Sequence, residues 1–166
     1  MALSVAGVAL ACGGEPGMGN GIARVGEVGP DRAEGLVRRV GTQPFTRTII
    51  EPTEEGEITT VTGPYGSEIG RLAGATVRVT GHLDERQAAG RAVAASSYEI
   101  VSIDGDRPLV GTLRSDDTGF FLENQRGTRR IAAVSAALKK WQGALVWVVL
   151  DENEGVARYG ILRDPK

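Results

Sequence analysis

Few side chains in this 166-residue sequence are of the types that commonly carry out chemistry. Cys12 is its only cysteine and His82 its only histidine. One cysteine cannot form an internal disulfide, and a zinc centre needs several cysteine or histidine ligands. We therefore expect no metal site and no cofactor, and we interpret His82 as an exposed residue of a loop that follows a strand.

The carboxylates and hydroxyls form no recognisable catalytic motif. Asp104-Gly105-Asp106 lacks the spaced ligands and the closing glutamate of an EF-hand loop, so it is better interpreted as a tight turn. Asp116 and Asp117 lie in a predicted hairpin turn and are not a spaced acid–base pair. The serines lie outside any G-x-S-x-G context. The sequence thus predicts a protein that has no catalytic residues and is not an enzyme.

Cys12 ends an uncharged apolar stretch, residues 2–11 (ALSVAGVALA). Ten residues are too few for a bilayer-spanning helix, which needs about 20, but they suit the apolar core of a signal peptide. The segment Ala9-Leu10-Ala11-Cys12 resembles the lipobox of bacterial lipoproteins. That resemblance implies cleavage before Cys12 and attachment of a diacylglycerol to its thiol. It also implies a cell-envelope location, anchored to the membrane and facing the periplasm or the exterior.

The alternative is a buried Cys12 in an ordinary N-terminal strand or helix. Residues 13–21 (GGEPGMGNG) argue against it, because they cannot continue a packed element and would leave the apolar run isolated. Their glycine pattern also lacks the preceding strand and following helix of a dinucleotide-binding fingerprint. We predict a signal peptide over residues 1–12 and a flexible glycine-rich tether over residues 13–35.

The basic residues are unevenly distributed along the chain. The total net charge is −2, but residues 41–105 carry −4 and residues 106–166 carry +2. Basic side chains next to aromatic ones are typical of surfaces that bind single-stranded nucleic acid. However, Phe120 and Phe121 are adjacent, so only one of them can face outward from a strand. We interpret the charges as solvated surface and do not expect nucleic acid as a partner; the weaker candidates for such contacts are Arg126, Arg129, Arg130, Lys139 and Lys140.

An internal repeat indicates which elements position these side chains. Residues 40–42 (VGT) recur as residues 110–112, and residues 72–79 (LAGATVRV) match residues 141–148 (WQGALVWV). The 24 glycines fall largely between short apolar runs, which favours many strands over a few long helices. We predict two related units, over residues 36–105 and 106–166.

Each unit shows the same succession of elements. A long first strand, predicted over residues 36–50 in the first unit, is followed by a second strand, a short helical turn that ends at a glycine, and two more strands. This succession resembles a compact OB-fold barrel, most clearly over residues 106–164. The predicted fold is therefore all-β, with two tandem OB-like small barrels, each containing one short helix. The resemblance implies a binding or assembly module.

The last strand pair of each unit differs in one respect. In the first unit the outward side chains of residues 75–80 are Thr76, Arg78 and Thr80, which is typical of a solvated face. In the second unit the corresponding side chains are Leu145, Trp147 and Val149. Such an apolar stripe needs a cover, because large exposed apolar patches are rare on soluble monomers.

Two covers fit the apolar stripe. The first is the other unit or the segment before it, and the second is a protein partner or another copy of the chain. The leading functional hypothesis is a lipid-anchored extracytoplasmic binding or assembly module. The alternatives are a soluble OB-type protein that binds nucleic acid and a structural subunit of an envelope assembly.

Overall fold

A computed structural model describes residues 31–86 and 90–165. The predicted signal peptide, the predicted lipidation site Cys12 and most of the predicted tether lie outside these residues. No helix within them is long and apolar enough to span a membrane. The elements in chain order are β1 (Asp31–Val40), β2 (Arg47–Glu51), β3 (Thr59–Thr62), α1 (Gly66–Gly70), β4 (Ala75–Leu83), β5 (Arg91–Ile103), β6 (Leu109–Asp116), β7 (Gly119–Asn124), β8 (Gly127–Ile131), α2 (Ala136–Lys139), β9 (Leu145–Leu150) and β10 (Val156–Arg163).

The first unit is a closed five-stranded barrel with the strand order β1-β2-β3-β5-β4. All neighbouring strands are antiparallel except β3 and β5, which are parallel. β1 pairs with β2 through Leu36–Val40 and with β4 through Asp31–Leu36, so one strand belongs to both sides of the barrel. The chain must approach itself closely at Gly35, where an added Cβ would lie 2.1 Å from the carbonyl oxygen of Glu51.

The second unit is a five-stranded sheet with the order β10-β9-β6-β7-β8. Strand by strand this is the order of the first unit, which confirms an all-β fold of two related modules. Its closure differs from that of the first unit. Between β8 and β10 the described residues form only a single parallel bridge, Ala133 to Gly155, so this sheet is not closed by a strand ladder.

Three predicted boundaries need correction. The tether was expected to reach residue 35, but β1 begins at Asp31 and pairs with β4 from its first residue. The long first strand over residues 36–50 is two strands that are separated at residues 41–46. His82 lies within β4 near its end rather than in the following loop, although its side chain is exposed as expected.

Two hydrophobic clusters fill the units. The cluster of the first unit includes the inward residues of β4, Ala75, Val77 and Val79, which are 3%, 0% and 0% exposed. It also includes Leu162 from β10, the last strand of the second unit, which is 1% exposed. The second cluster is built around residues such as Leu113 and Val146. The two units therefore share part of one core.

Candidate functional site

The apolar stripe of β9 lies at the contact between the two units. Leu145 and Trp147 are partly buried and pack against the hydrophobic cluster of the first unit. Val149, farther along the same strand, is 6% exposed. Of the two predicted covers, the structure thus shows the intramolecular one for Leu145 and Trp147.

The indole of Trp147 lies across its cross-strand neighbour. Trp147 in β9 is paired with Gly160 in β10, and a Cβ at Gly160 would lie only 2.5 Å from the indole nitrogen. The glycine therefore provides the space that the ring occupies. This packing leaves the other face of the β9–β10 ladder to the second cluster, to which Val146 and Val148 belong.

A buried ionic link fastens α1 to β10. Arg163 donates to Glu68 with its Nε at 2.6 Å and its Nη2 at 2.5 Å, both to the same carboxylate oxygen. The other oxygen of Glu68 accepts a hydrogen bond of 2.9 Å from the hydroxyl of Tyr98. Glu68 is 8% exposed, and a carboxylate at such depth needs partners of this kind. Burial and the adjacent Glu68 raise the pKa of Tyr98 well above its ordinary range, so its hydroxyl stays protonated and donates.

Further polar contacts join the units on either side of this link. Arg71 at the end of α1 donates to the carbonyl oxygen of Leu162 at 3.2 Å and to Asp164 at 3.4 Å. Arg158 of β10 pairs with both carboxylates of the turn between the units, Asp104 at 2.6 Å and Asp106. The turn predicted from Asp104-Gly105-Asp106 is present, with positive φ at Asp104 and at the following glycine. Asp104 and Asp106 thus both form ion pairs with Arg158.

A groove of about 920 Å³ opens next to this contact. Tyr65 and Tyr98, whose rings meet edge to face at 5.7 Å, line it from the first unit. Leu109, 36% exposed, lines it from β6. Glutamates from both units and arginines from the second unit also line it. The charged and amide side chains in the lining are Glu68, Glu99, Arg107, Glu123, Asn124, Gln125, Arg126 and Arg163.

Most of the charges around the groove neutralise one another. Glu99 accepts from Arg78 at 3.2 Å and lies 3.8 Å from Arg107. Glu123 pairs with Arg114 at 3.2 Å. Arg126 makes no ion pair within the described residues and lies at the tip of the β7–β8 hairpin. The groove therefore combines an apolar floor with a polar rim of little net charge, a composition that suits a neutral or mildly acidic organic ligand or a short peptide segment.

The five predicted nucleic-acid contacts do not converge on one surface. Arg129 pairs with Glu154 at 2.5 Å, and Arg130 pairs bidentately with Asp116 at 2.8 and 2.7 Å. Arg126 lines the groove instead. The remaining two, Lys139 and Lys140, lie at the end of α2. Two of the five cations are thus already neutralised by carboxylates, which weakens their use for phosphate contacts.

The two adjacent phenylalanines lie on opposite faces of β7, as the sequence predicts. Phe120 packs against the second cluster, and the amine of Lys139 lies 5.6 Å from its ring centroid. The guanidinium of Arg130 lies 5.5 Å from the centroid of the Phe121 ring. The bonds from Arg130 and from Thr118 hold the pKa of Asp116 well below its ordinary range, so this pair stays charged.

No pattern in the sequence points directly to the groove, because its walls come from residues that are distant in the chain. Tyr65 and Glu68 were in no predicted motif, and Arg163 had been counted only as a charge. The one available hint was the apolar stripe of β9, which lies beside the groove through Leu145. Within the described ranges no group of three or more His, Cys, Asp or Glu is placed to hold a metal ion.

In comparisons with protein-family models, with curated proteins and with solved structures, the chain has no significant match.

Proposed function

We propose that this chain is a lipid-anchored, non-catalytic binding module of the cell envelope, and that it binds its ligand in the groove between its two units. The observation that carries the proposal is the groove itself. It has a volume of about 920 Å³, within the range of ligand sites, and lies at the contact between two modules, where such sites are commonly found.

The contacts around the groove support a site that is already formed before binding. Glu68, Tyr98 and Arg163 fix its two walls relative to each other through partly buried hydrogen bonds. Leu162 adds an apolar contact that is inaccessible to water. A preformed site loses less conformational entropy on binding, so affinity is retained.

The proposed anchor rests on the sequence around Cys12. Two or more acyl chains bury many methylenes at about 0.8 kcal/mol each, which is enough for stable attachment to a bilayer. A tether between Cys12 and Asp31 would then connect the anchor to the first strand of the barrel.

Fractionation of cells that produce the full chain tests the anchor. We expect the native protein in the membrane fraction, with an intact mass that corresponds to a chain beginning at Cys12 and carrying acyl groups. The variant Cys12→Ser should lose the acyl mass and leave the membrane fraction. A soluble, unacylated native protein that retains Met1 would contradict the anchor.

Site-specific photo-crosslinking tests the groove independently of the anchor. A benzoylphenylalanine that replaces Leu109 lies in the groove, whereas one that replaces Leu83, 50% exposed, lies outside its lining. In cells, we expect a discrete crosslinked product from position 109 and none from position 83. Equal products from both positions, or none from either, would contradict ligand binding in the groove.

A further inference from the structure

We propose that a second pocket, at one end of the first barrel, binds a phosphate group, supplied either by a soluble phosphate ester or by a lipid headgroup. This pocket is separate from the groove and does not rest on the function proposed for it. Three arginines, Arg39, Arg47 and Arg71, contribute to its lining, and no carboxylate of residues 31–86 and 90–165 does.

The pocket is formed where three strands and a helix meet. Its volume is about 540 Å³. Arg39 in β1 is the cross-strand partner of Thr48 in β2, and Arg47 lines the pocket from the first position of β2. The end of α1 approaches Thr48 so closely that a Cβ at Gly70 would lie 2.8 Å from the Thr48 hydroxyl. The barrel topology, not proximity in the chain, thus brings Arg71 to the same cavity as the other two.

Two of the three guanidinium groups pair with no carboxylate of the described residues. Most arginines of the described residues pair with a carboxylate; the neighbouring Arg38, for example, pairs with Glu51. Arg39 and Arg47 make no such pair within the part of the chain that the structure describes. Arg71 is only partly engaged, since its bond to Asp164 is 3.4 Å long and its side chain is 47% exposed. The pocket therefore carries a concentrated positive charge in a barrel unit that is otherwise acidic.

Hydroxyl groups supply further donors. Thr48, Thr60 and Ser67 line the pocket, and their hydroxyls make no hydrogen bond to other described residues. Thr48 and Thr60 are half-buried. A hydroxyl in this position can donate to an anion oxygen at little conformational cost.

This combination favours a doubly charged oxyanion over a carboxylate. Guanidinium groups present a planar fork of donors that matches phosphate oxygens, and charge-assisted bonds of this kind are about twice as strong as neutral ones. A phosphate monoester carries a charge of about −2 at neutral pH and can satisfy both free arginines. A carboxylate would leave one of them unpaired. The volume leaves room for an organic group attached to the phosphate.

Titration with inorganic phosphate tests the site directly. The full chain, with Cys12→Ala to remove the proposed acyl anchor, is titrated by calorimetry at a constant ionic strength maintained with chloride. We expect saturable binding of phosphate. The double variant Arg39→Gln/Arg47→Gln should weaken it by roughly 100-fold, since each charge-assisted bond contributes about a factor of ten.

A charge-matched control separates this site from general surface charge. The variant Arg32→Gln/Lys140→Gln removes two exposed cations outside the pocket and should change the affinity for phosphate by less than about twofold. Circular dichroism of both variants establishes that they are folded. Equal affinities of the two double variants, or no response to phosphate beyond that to chloride, would overturn the proposal.

Vesicles distinguish the two sources of phosphate. If the ligand is a lipid headgroup, vesicles that contain phosphatidic acid should bind the Cys12→Ala chain. The additional substitutions Arg39→Gln/Arg47→Gln should abolish that binding. Neutral phosphatidylcholine vesicles should not discriminate between the chain with these substitutions and the chain without them. If the ligand is a soluble ester, the substitutions should weaken only the binding of inorganic phosphate. Either result supports a phosphate site. If the substitutions weaken neither the binding of inorganic phosphate nor the binding of phosphatidic acid vesicles, the proposal is contradicted.

Discussion

At the scale of single residues, the two units differ in side chains that occupy equivalent positions of the repeat. Arg78 of β4 and Trp147 of β9 occupy equivalent places in the repeat. Arg78 stays in solvent and pairs with Glu34 at 2.7 Å, whereas Trp147 is partly buried against the hydrophobic cluster that Leu162 shares with the first unit. An outward side chain on the same kind of strand is thus polar where the strand faces water and apolar where a neighbour covers it. The sequence difference therefore reports the contact between the units.

Gly35 makes the most demanding close approach in the first barrel. Any Cβ at this position would lie 2.1 Å from the Glu51 carbonyl oxygen, with further backbone atoms of Glu51 and Pro52 within 2.8 Å. These are backbone atoms, so no side-chain rotation relieves the overlap. The tight curvature of β1, which lets it pair with both β2 and β4, depends on this glycine.

The variant Gly35→Ala should therefore be destabilised by about 1–3 kcal/mol, because one extra methyl forces a shift of the packed backbone. Urea unfolding followed by circular dichroism measures the change. The control Gly66→Ala adds the same methyl at the start of α1, where the nearest heavy atom is 3.7 Å away. That variant should be neutral or slightly more stable, since alanine favours a helix. If both variants lost the same free energy of unfolding, the close approach at Gly35 would not be the cause of the loss.

At the scale of elements, alternation in the sequence was a reliable guide to the faces of strands. The predicted inward residues Val77 and Val79 in β4, and Val146 and Val148 in β9, are all fully buried. Side chains alternate strictly along a strand, so one correct inward residue determines the others. Which side chains of β4 and β9 point into the core could therefore be predicted without knowing the neighbouring strands.

Boundaries were harder to predict, since they depend on distant partners. Residues 31–35 have a tether-like composition but are held as strand by pairing with β4 some 45 residues later. Turn 41–46 divides a run that looks continuous in the sequence, because β2 folds back onto β1 there. The way in which the second sheet closes was equally hard to predict, because local pattern does not specify the contact between the ends of β8 and β10.

At the scale of the whole molecule, neither of the two proposed binding sites could be predicted from the sequence. The groove takes Tyr65 from one unit and Leu109 from the other, and the phosphate pocket takes Arg39 and Arg71 from elements far apart in the chain. Which arginines remain unpaired is decided by the positions of carboxylates in three dimensions. Composition predicts the total charge of a unit, but not where that charge is left uncompensated.

The shared core makes the stability of the two units interdependent. Leu162 belongs to β10 of the second unit, yet it is 1% exposed within the hydrophobic cluster of the first. The hydrogen bonds from Arg163 to Glu68 and from Arg71 to the Leu162 carbonyl surround the same contact. Because these contacts disappear when either unit unfolds, both should unfold in one cooperative transition.

The variant Leu162→Ala should consequently destabilise both units together, by about 2–5 kcal/mol, because it leaves a cavity in a fully buried site. Hydrogen exchange in increasing urea, followed separately for the amides of β4 and of β9, measures the two units in one sample. Both sets of amides should lose protection at the same, lowered urea concentration. The control Leu83→Ala removes an equal side chain that is 50% exposed and should change either midpoint little. If Leu162→Ala lowered the protection of β9 alone, the first barrel would be stable without its neighbour, and a groove between the two units would lack the fixed walls that its proposed function requires.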